Sequence, residues 1–199
     1  MPGGRGRFVG IGVGSYTNER HRALPRAVPD VEQFGALLDA QFDGAVLRDP
    51  TESAVRTHLQ EVVKGSLPDR GSLVLLWSGH GVGPRADELQ LLGTDSDVDD
   101  VSGLSIREVV GNVVRSGADQ VLLIVDTCFS GGALPATQVA AGLMDAKPPD
   151  SDHLWVGVLA ACSAIDTAVD GRLGTLLRGL LTDGPTTRTC VGGGRRTTS

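Results

Sequence analysis

The chain has 199 residues, and its 18 Lys and Arg stand against 24 Asp and Glu for a formal net charge of −6. That is the length of one globular domain, without the basic excess of a nucleic-acid binder, and it suits cationic partners better. At 40% hydrophobic and 21% charged residues the chain is too apolar for wholesale disorder. Cys128, Cys162 and Cys190 form no C-x-x-C pair, which argues against a disulfide framework or zinc knuckle and for a reducing, cytoplasmic location.

The first apolar run, Phe8 to Val13, is short and broken by glycines. It predicts a strand, and it predicts neither a secretory segment nor a membrane span. Its Gly10-Ile11-Gly12-Val13-Gly14 has the third glycine misplaced for a dinucleotide-binding loop. Val31, Phe34, Leu37 and Leu38 then share one helical stripe, and Ala45 to Leu47 is a weak strand. A second stripe at Val55, Leu59, Val62 and Val63 has Asp49, Pro50 and Glu52 as start signals. Leu73 to Trp77 is a strong strand. Ser105 and Glu108 form a capping box that opens a stripe from Ile106 to Val114, ended by Gly117. Val121 to Val125 and Leu154 to Ala160 are further strands, and Leu173, Leu176, Leu177, Leu180 and Leu181 mark a last helix.

These strands are continuously apolar, as in a parallel sheet covered on both faces, and they alternate with amphipathic helices. The expectation is a three-layer α/β domain over residues 1–183. Residues 184–199, rich in Gly, Thr and Arg, are expected to be a flexible tail or a truncated linker. Active sites of such sheets lie at the carboxyl ends of the strands.

Two strands end in small-residue turns that carry reactive side chains: Trp77-Ser78-Gly79-His80-Gly81 and Asp126-Thr127-Cys128-Phe129-Ser130-Gly131-Gly132. If those strands are parallel neighbours, His80 and Cys128 emerge on one edge of the sheet. A nearby imidazole activates a thiol, whose own pKa is about 8.5, at neutral pH. The amides of Gly81 and Cys128 are candidates to hold an oxyanion.

Strand-Ser78-Gly79-His80-Gly81 followed by strand-Asp126-x-Cys128-x-Ser130-Gly131 resembles the caspase-like clan of cysteine peptidases, in which His and Cys lie about 50 residues apart. The second motif is closer to metacaspases and their bacterial relatives than to Asp-specific caspases. The resemblance implies a caspase-like fold and a cysteine endopeptidase that cuts protein or peptide substrates after Arg or Lys. It implies Cys128 as nucleophile, His80 as acid and base, and Asp126 and Asp30 as acids of the primary pocket. The segment holding Ser163 and Asp170 would line the same pocket. No metal takes part in the chemistry, although many metacaspases are calcium-activated and the run Asp95 to Asp100 is acidic. Family members often cut themselves in the loop corresponding to Ala133–Asp152, whose one basic residue, Lys147, precedes Pro148 and so predicts no efficient self-cleavage.

Blander readings stand beside these. Asp30 follows Pro29 at a helix start, where an acid complements the helix dipole, and Asp126 could satisfy turn amides. His21, His58 and His153 show no ligand spacing and read as solvated, and the acidic run reads as a solvated loop. The alternative function is a catalytically silent caspase-like module that binds partners, or a fragment of a larger signalling or defence protein with sensor or effector domains. A flavodoxin-like domain shares the layering but leaves the His–Cys pair without a role.

Overall fold

A computed structural model describes residues 5–65, 71–82, 89–97, 103–127, 142, 154–161 and 172–183. The five apolar runs become strands β1 (Gly6–Gly12), β2 (Phe42–Arg48), β3 (Ser72–Ser78), β7 (Gln120–Asp126) and β8 (Trp155–Ala161). They form one sheet in the order β2-β1-β3-β7-β8, every pair parallel. The weak run that becomes the edge strand β2 is longer than its apolar residues suggested, because β1 supplies backbone partners along its whole length from Phe42 to Arg48.

Helices α1 (Ala27–Leu38), α2 (Glu52–Lys64), α3 (Ile106–Val114) and α4 (Arg172–Asp183) cover both faces. Val9, Ile11, Leu73, Leu75, Trp77, Leu123 and Val125 pack toward α2 and α3. Phe8, Val74, Leu76 and Ile124 pack on the opposite face with Val31, Phe34 and Leu177 from α1 and α4. Successive strand residues thus bury against different helix layers, which is why the runs are apolar at every position. A Cβ on Gly12 would lie 2.7 Å from Val28 Cα. Gly10, whose Cβ would meet Val31, and Gly12 therefore serve close packing of β1 against α1.

Two local expectations are corrected. The start of α2 is capped by Thr51, whose hydroxyl accepts from Ala54 N at 3.2 Å, rather than by Asp49 and Pro50. Asp49, at φ 45°, instead turns its carboxylate to Gly14 N and Ser15 N, at 2.7 and 2.9 Å, and so fastens the loop leaving β1. The leucines of α4 do not all face inward: Leu177 is buried, whereas Leu176 and Leu181 are 58% and 52% exposed. Adjacent leucines are turned by about 100° from one another on a helix, so Leu176 and Leu177 cannot share one sheet-facing line. Ser105 does cap α3, accepting from Arg107 N at 3.2 Å. Gly117 follows that helix at φ 77°, a conformation that favours glycine.

A small antiparallel sheet was not foreseen. Strands β4 (Gly81–Val82), β5 (Gln90–Leu91) and β6 (Leu104–Ser105) have two residues each, too short for any periodicity. They bury Leu91 and Leu104 in the core beside Leu89. Among the described residues no helix is long and apolar enough to cross a membrane.

Candidate active site

One row of residues crosses the sheet at its carboxyl edge. Gly12 faces Ser78, Ser78 faces Asp126, and Asp126 faces Ala161. The chain leaves β1 toward Tyr16, His21 and Arg22, leaves β3 toward His80, leaves β7 toward Cys128, and leaves β8 toward Ser163 and Asp170. Every loop residue expected at the site therefore follows this row. Cys128, Ser163 and Asp170 lie outside the described residues, as do His153, the loop at Lys147 and the tail.

The turn after β3 is fixed by backbone bonds on both sides. Gly79 N donates to Asp126 O at 3.2 Å, and Leu92 N donates to His80 O at 3.1 Å. His80 N donates to the Tyr16 hydroxyl at 2.7 Å, which in turn donates to Val13 O at 3.0 Å. The His80 imidazole sets Nε2 2.7 Å from Arg22 O. A carbonyl only accepts, so this contact assigns the proton to Nε2 and leaves Nδ1 as the basic nitrogen.

Sequence reasoning missed the company that His80 keeps. The Tyr16 ring lies 4.9 Å from the His80 ring, and His21 lies 5.7 Å from His80 and 5.2 Å from Tyr16. His21 is half-buried, not solvated as expected. Burial and then the neighbouring His80 lower its pKa below 6.5, and Asp97 opposes them. Nothing in the sequence announces a backbone carbonyl ligand such as Arg22 O, and ring stacking between loop residues has no fixed spacing. His58 is also partly buried, with Nδ1 3.6 Å from Glu61 Oε2 on the same helix.

Gly81 pairs with Leu91, and the bond from Leu92 N to His80 O makes this a non-hydrogen-bonded pair of the antiparallel ladder. Its N–H consequently points away from β5. A Cβ at Gly81 would lie 2.9 Å from both Leu89 Cδ1 and Thr127 Oγ1, so the close packing here admits no side chain.

Asp30 and Asp126, distant in sequence, line one cleft with Val31, Phe34, Leu76, Ser78, Gly174 and Leu177. Asp30 is 4% exposed and accepts from Arg26 Nη2 at 2.7 Å. It sits in the first turn of α1, so the dipole role expected of such an acid also applies. A Cβ at Gly174 would fall 2.6 Å from Asp30 Cγ. That glycine lets α4 close over the carboxylate. The lining carries the carboxylates of Asp30 and Asp126, the first of them paired with Arg26, and carboxylates at a cleft favour a cation.

The described part of the acidic run has structural partners. Asp95 Oδ1 accepts from Glu52 N at 2.8 Å, and Asp97 Oδ1 accepts from Asn18 Nδ2 at 3.0 Å. Among the described residues no group of three or more His, Cys, Asp or Glu could hold a metal ion.

The sequence matches the caspase domain family, peptidase C14, over residues 5–179. No curated protein sequence matches it significantly. Among solved structures, protein GSU0716 from Geobacter sulfurreducens is similar at a TM-score of 0.62 and 18% identity, over 88% of this chain and 81% of that one. Caspase-1 from Spodoptera frugiperda is similar at a TM-score of 0.50 and 11% identity, over 63% of this chain and 48% of the caspase. These likenesses agree on the fold. With the match spanning all five strands of the main sheet, the chain belongs to the caspase-domain family.

Proposed function

We propose that the protein is a cysteine endopeptidase that cuts after Arg or Lys, with Cys128 as nucleophile and His80 as general acid and base. The observation that carries this reading is the pairing of Ser78 with Asp126. His80 and Cys128 each follow that pair by two residues, so both leave the sheet at one level from adjacent parallel strands. The Arg22 carbonyl supports the assignment by holding Nε2–H and leaving His80 Nδ1 to exchange a proton with the thiol.

The reaction is acyl transfer in two steps. The Cys128 thiolate attacks the carbonyl carbon of the scissile bond, and His80 gives its proton to the departing amine, leaving a thioester. Water then attacks the thioester while His80 takes its proton. The product leaves as a carboxylic acid, and Cys128 is restored. The amides of Gly81 and Cys128 hold the oxyanion in both steps, in keeping with the outward direction of the Gly81 N–H.

Asp126 and Asp30 bind the substrate cation, with Ser163 and Asp170 on the wall contributed by the segment after β8. The substrate is a protein or peptide presenting Arg or Lys, and a reducing cytoplasm keeps Cys128 a thiol. No cofactor enters the chemistry; calcium would act, if at all, on activation.

The test is hydrolysis of fluorogenic peptides ending in Arg, Lys or Asp, with and without calcium, by the protein and by Cys128→Ala. Cleavage after Arg or Lys that disappears in the variant supports both the dyad and the acidic cleft. Cleavage after Asp retains the peptidase and removes the role given to Asp126. Absence of cleavage under every condition favours a partner-binding caspase module instead.

A further inference from the structure

Thr127 is 2% exposed, and its hydroxyl is buried with no hydrogen-bond partner among the described residues. Buried hydroxyls are normally paired, and one left unpaired opposes folding. The residue stands between Asp126 and Cys128, and its Oγ1 presses on Gly81, 2.9 Å from where a Cβ would sit, with its own Cβ at 3.2 Å. Valine has the same shape without the polar atom. Among the described residues no hydrogen bond of the resting structure uses this oxygen.

We propose that Thr127 is a positioning residue that sets the Gly81 amide for the oxyanion and whose hydroxyl gains its hydrogen bond in the reacting state. This rests on the peptidase reading and extends it to a residue outside the dyad, the oxyanion amides and the specificity pocket. Gly81 has its Cα against Thr127 on one side and its N–H turned away from β5 on the other. When the Gly81 N–H donates to an oxyanion its peptide group is polarised, and the adjacent hydroxyl pairs with that peptide group. An interaction present in the transition state and absent in the free protein raises kcat and leaves ground-state binding nearly unchanged.

The experiment compares Thr127→Val and Thr127→Ser with the parent and with Cys128→Ala, reading Tm, kcat, KM and inhibition by a peptide aldehyde ending in Arg. The aldehyde forms a hemithioacetal with Cys128 and places its oxygen where the oxyanion develops. The valine variant is expected to keep or raise Tm, to lose about ten-fold or more in kcat with KM within about two-fold, and to bind the aldehyde more weakly by a similar factor. Serine, which retains the hydroxyl, is expected to recover most of kcat despite a lower Tm.

Parental kcat and aldehyde affinity in the valine variant would overturn the proposal and leave the peptidase standing. So would a serine variant as slow as the valine one, or a rate loss that tracks a fall in Tm. A parent that cleaves nothing, or cleavage that survives Cys128→Ala, overturns the peptidase reading and the role of Thr127 with it.

Discussion

The His80 imidazole points its Nε2 at the backbone carbonyl of Arg22, 2.7 Å away, across the loop that joins β1 to α1. The orienting group is main chain, so the identity of residue 22 has little to do with it. Further contacts hold that loop, among them Leu24 N to Gly14 O at 2.8 Å, Thr17 N to Thr94 O at 2.8 Å, and the Asp49 carboxylate on Gly14 and Ser15.

Arg22→Ala is accordingly expected to keep kcat/KM within about three-fold on an Arg-ending peptide, whereas His80→Ala loses about 10²-fold or more, the usual scale for a general acid and base. Steady-state kinetics on the two variants checks this. A large loss in Arg22→Ala would show that its side chain, and not its carbonyl, does the work.

His21 is expected to titrate below 6.5 in the folded protein, since burial and the nearby His80 both disfavour its charged form. A histidine whose pKa falls on folding binds fewer protons in the native state than in the unfolded one. Its contribution to stability is then fully present above about 6.5 and is lost as pH falls toward the folded value. Imidazole NMR should show the low pKa, and His80→Ala should raise it by removing the second-largest cause. Denaturant unfolding should show stability declining below pH 6.5, less steeply in His21→Gln.

Gly174→Ala sets two effects against each other. Alanine favours a helix interior over glycine by about 1 kcal/mol, but its Cβ would come 2.6 Å from Asp30 Cγ, and overpacking of this kind costs about 1–3 kcal/mol. The overlap should win, with a lower Tm and a raised KM for Arg-ending peptides as Asp30 is displaced. An unchanged KM would separate Asp30 from the substrate site. Asp126→Asn should raise the same KM by about ten-fold or more, since it removes a charge and keeps the shape.

The two residues before α2 also differ in their work. Thr51→Ala should destabilise the fold by about 1 kcal/mol, a normal loss for a helix cap. Asp49→Ala removes a carboxylate acceptor from two loop amides, each charged bond contributing about 1.5–3 kcal/mol before solvent screening reduces it. Asp49→Ala should therefore be the more damaging in urea unfolding, and should also lower kcat through the loop that carries Arg22.

The sequence by itself determined the main sheet, its four covering helices and the edge that carries the candidate site. Continuous apolar runs such as Leu73 to Trp77 require cover on both faces, and stripes such as Val55, Leu59 and Val62 supply it. His80 was legible because its turn follows a strong strand, and Asp126 because it ends one. Burial patterns leave that kind of trace along a chain. Tertiary structure alone decided the register that pairs Ser78 with Asp126 and the pairing of Arg26 with Asp30. It also brought Tyr16 and His21 against His80 and gave Asp49 to the loop amides instead of the helix start. Backbone carbonyls, stacked rings and two-residue strands arise from chain segments meeting in space, and local periodicity records no such meeting. The same holds for Thr127: its hydroxyl looks ordinary in sequence, and its lack of a partner among the described residues is visible only once Gly81 is packed against it.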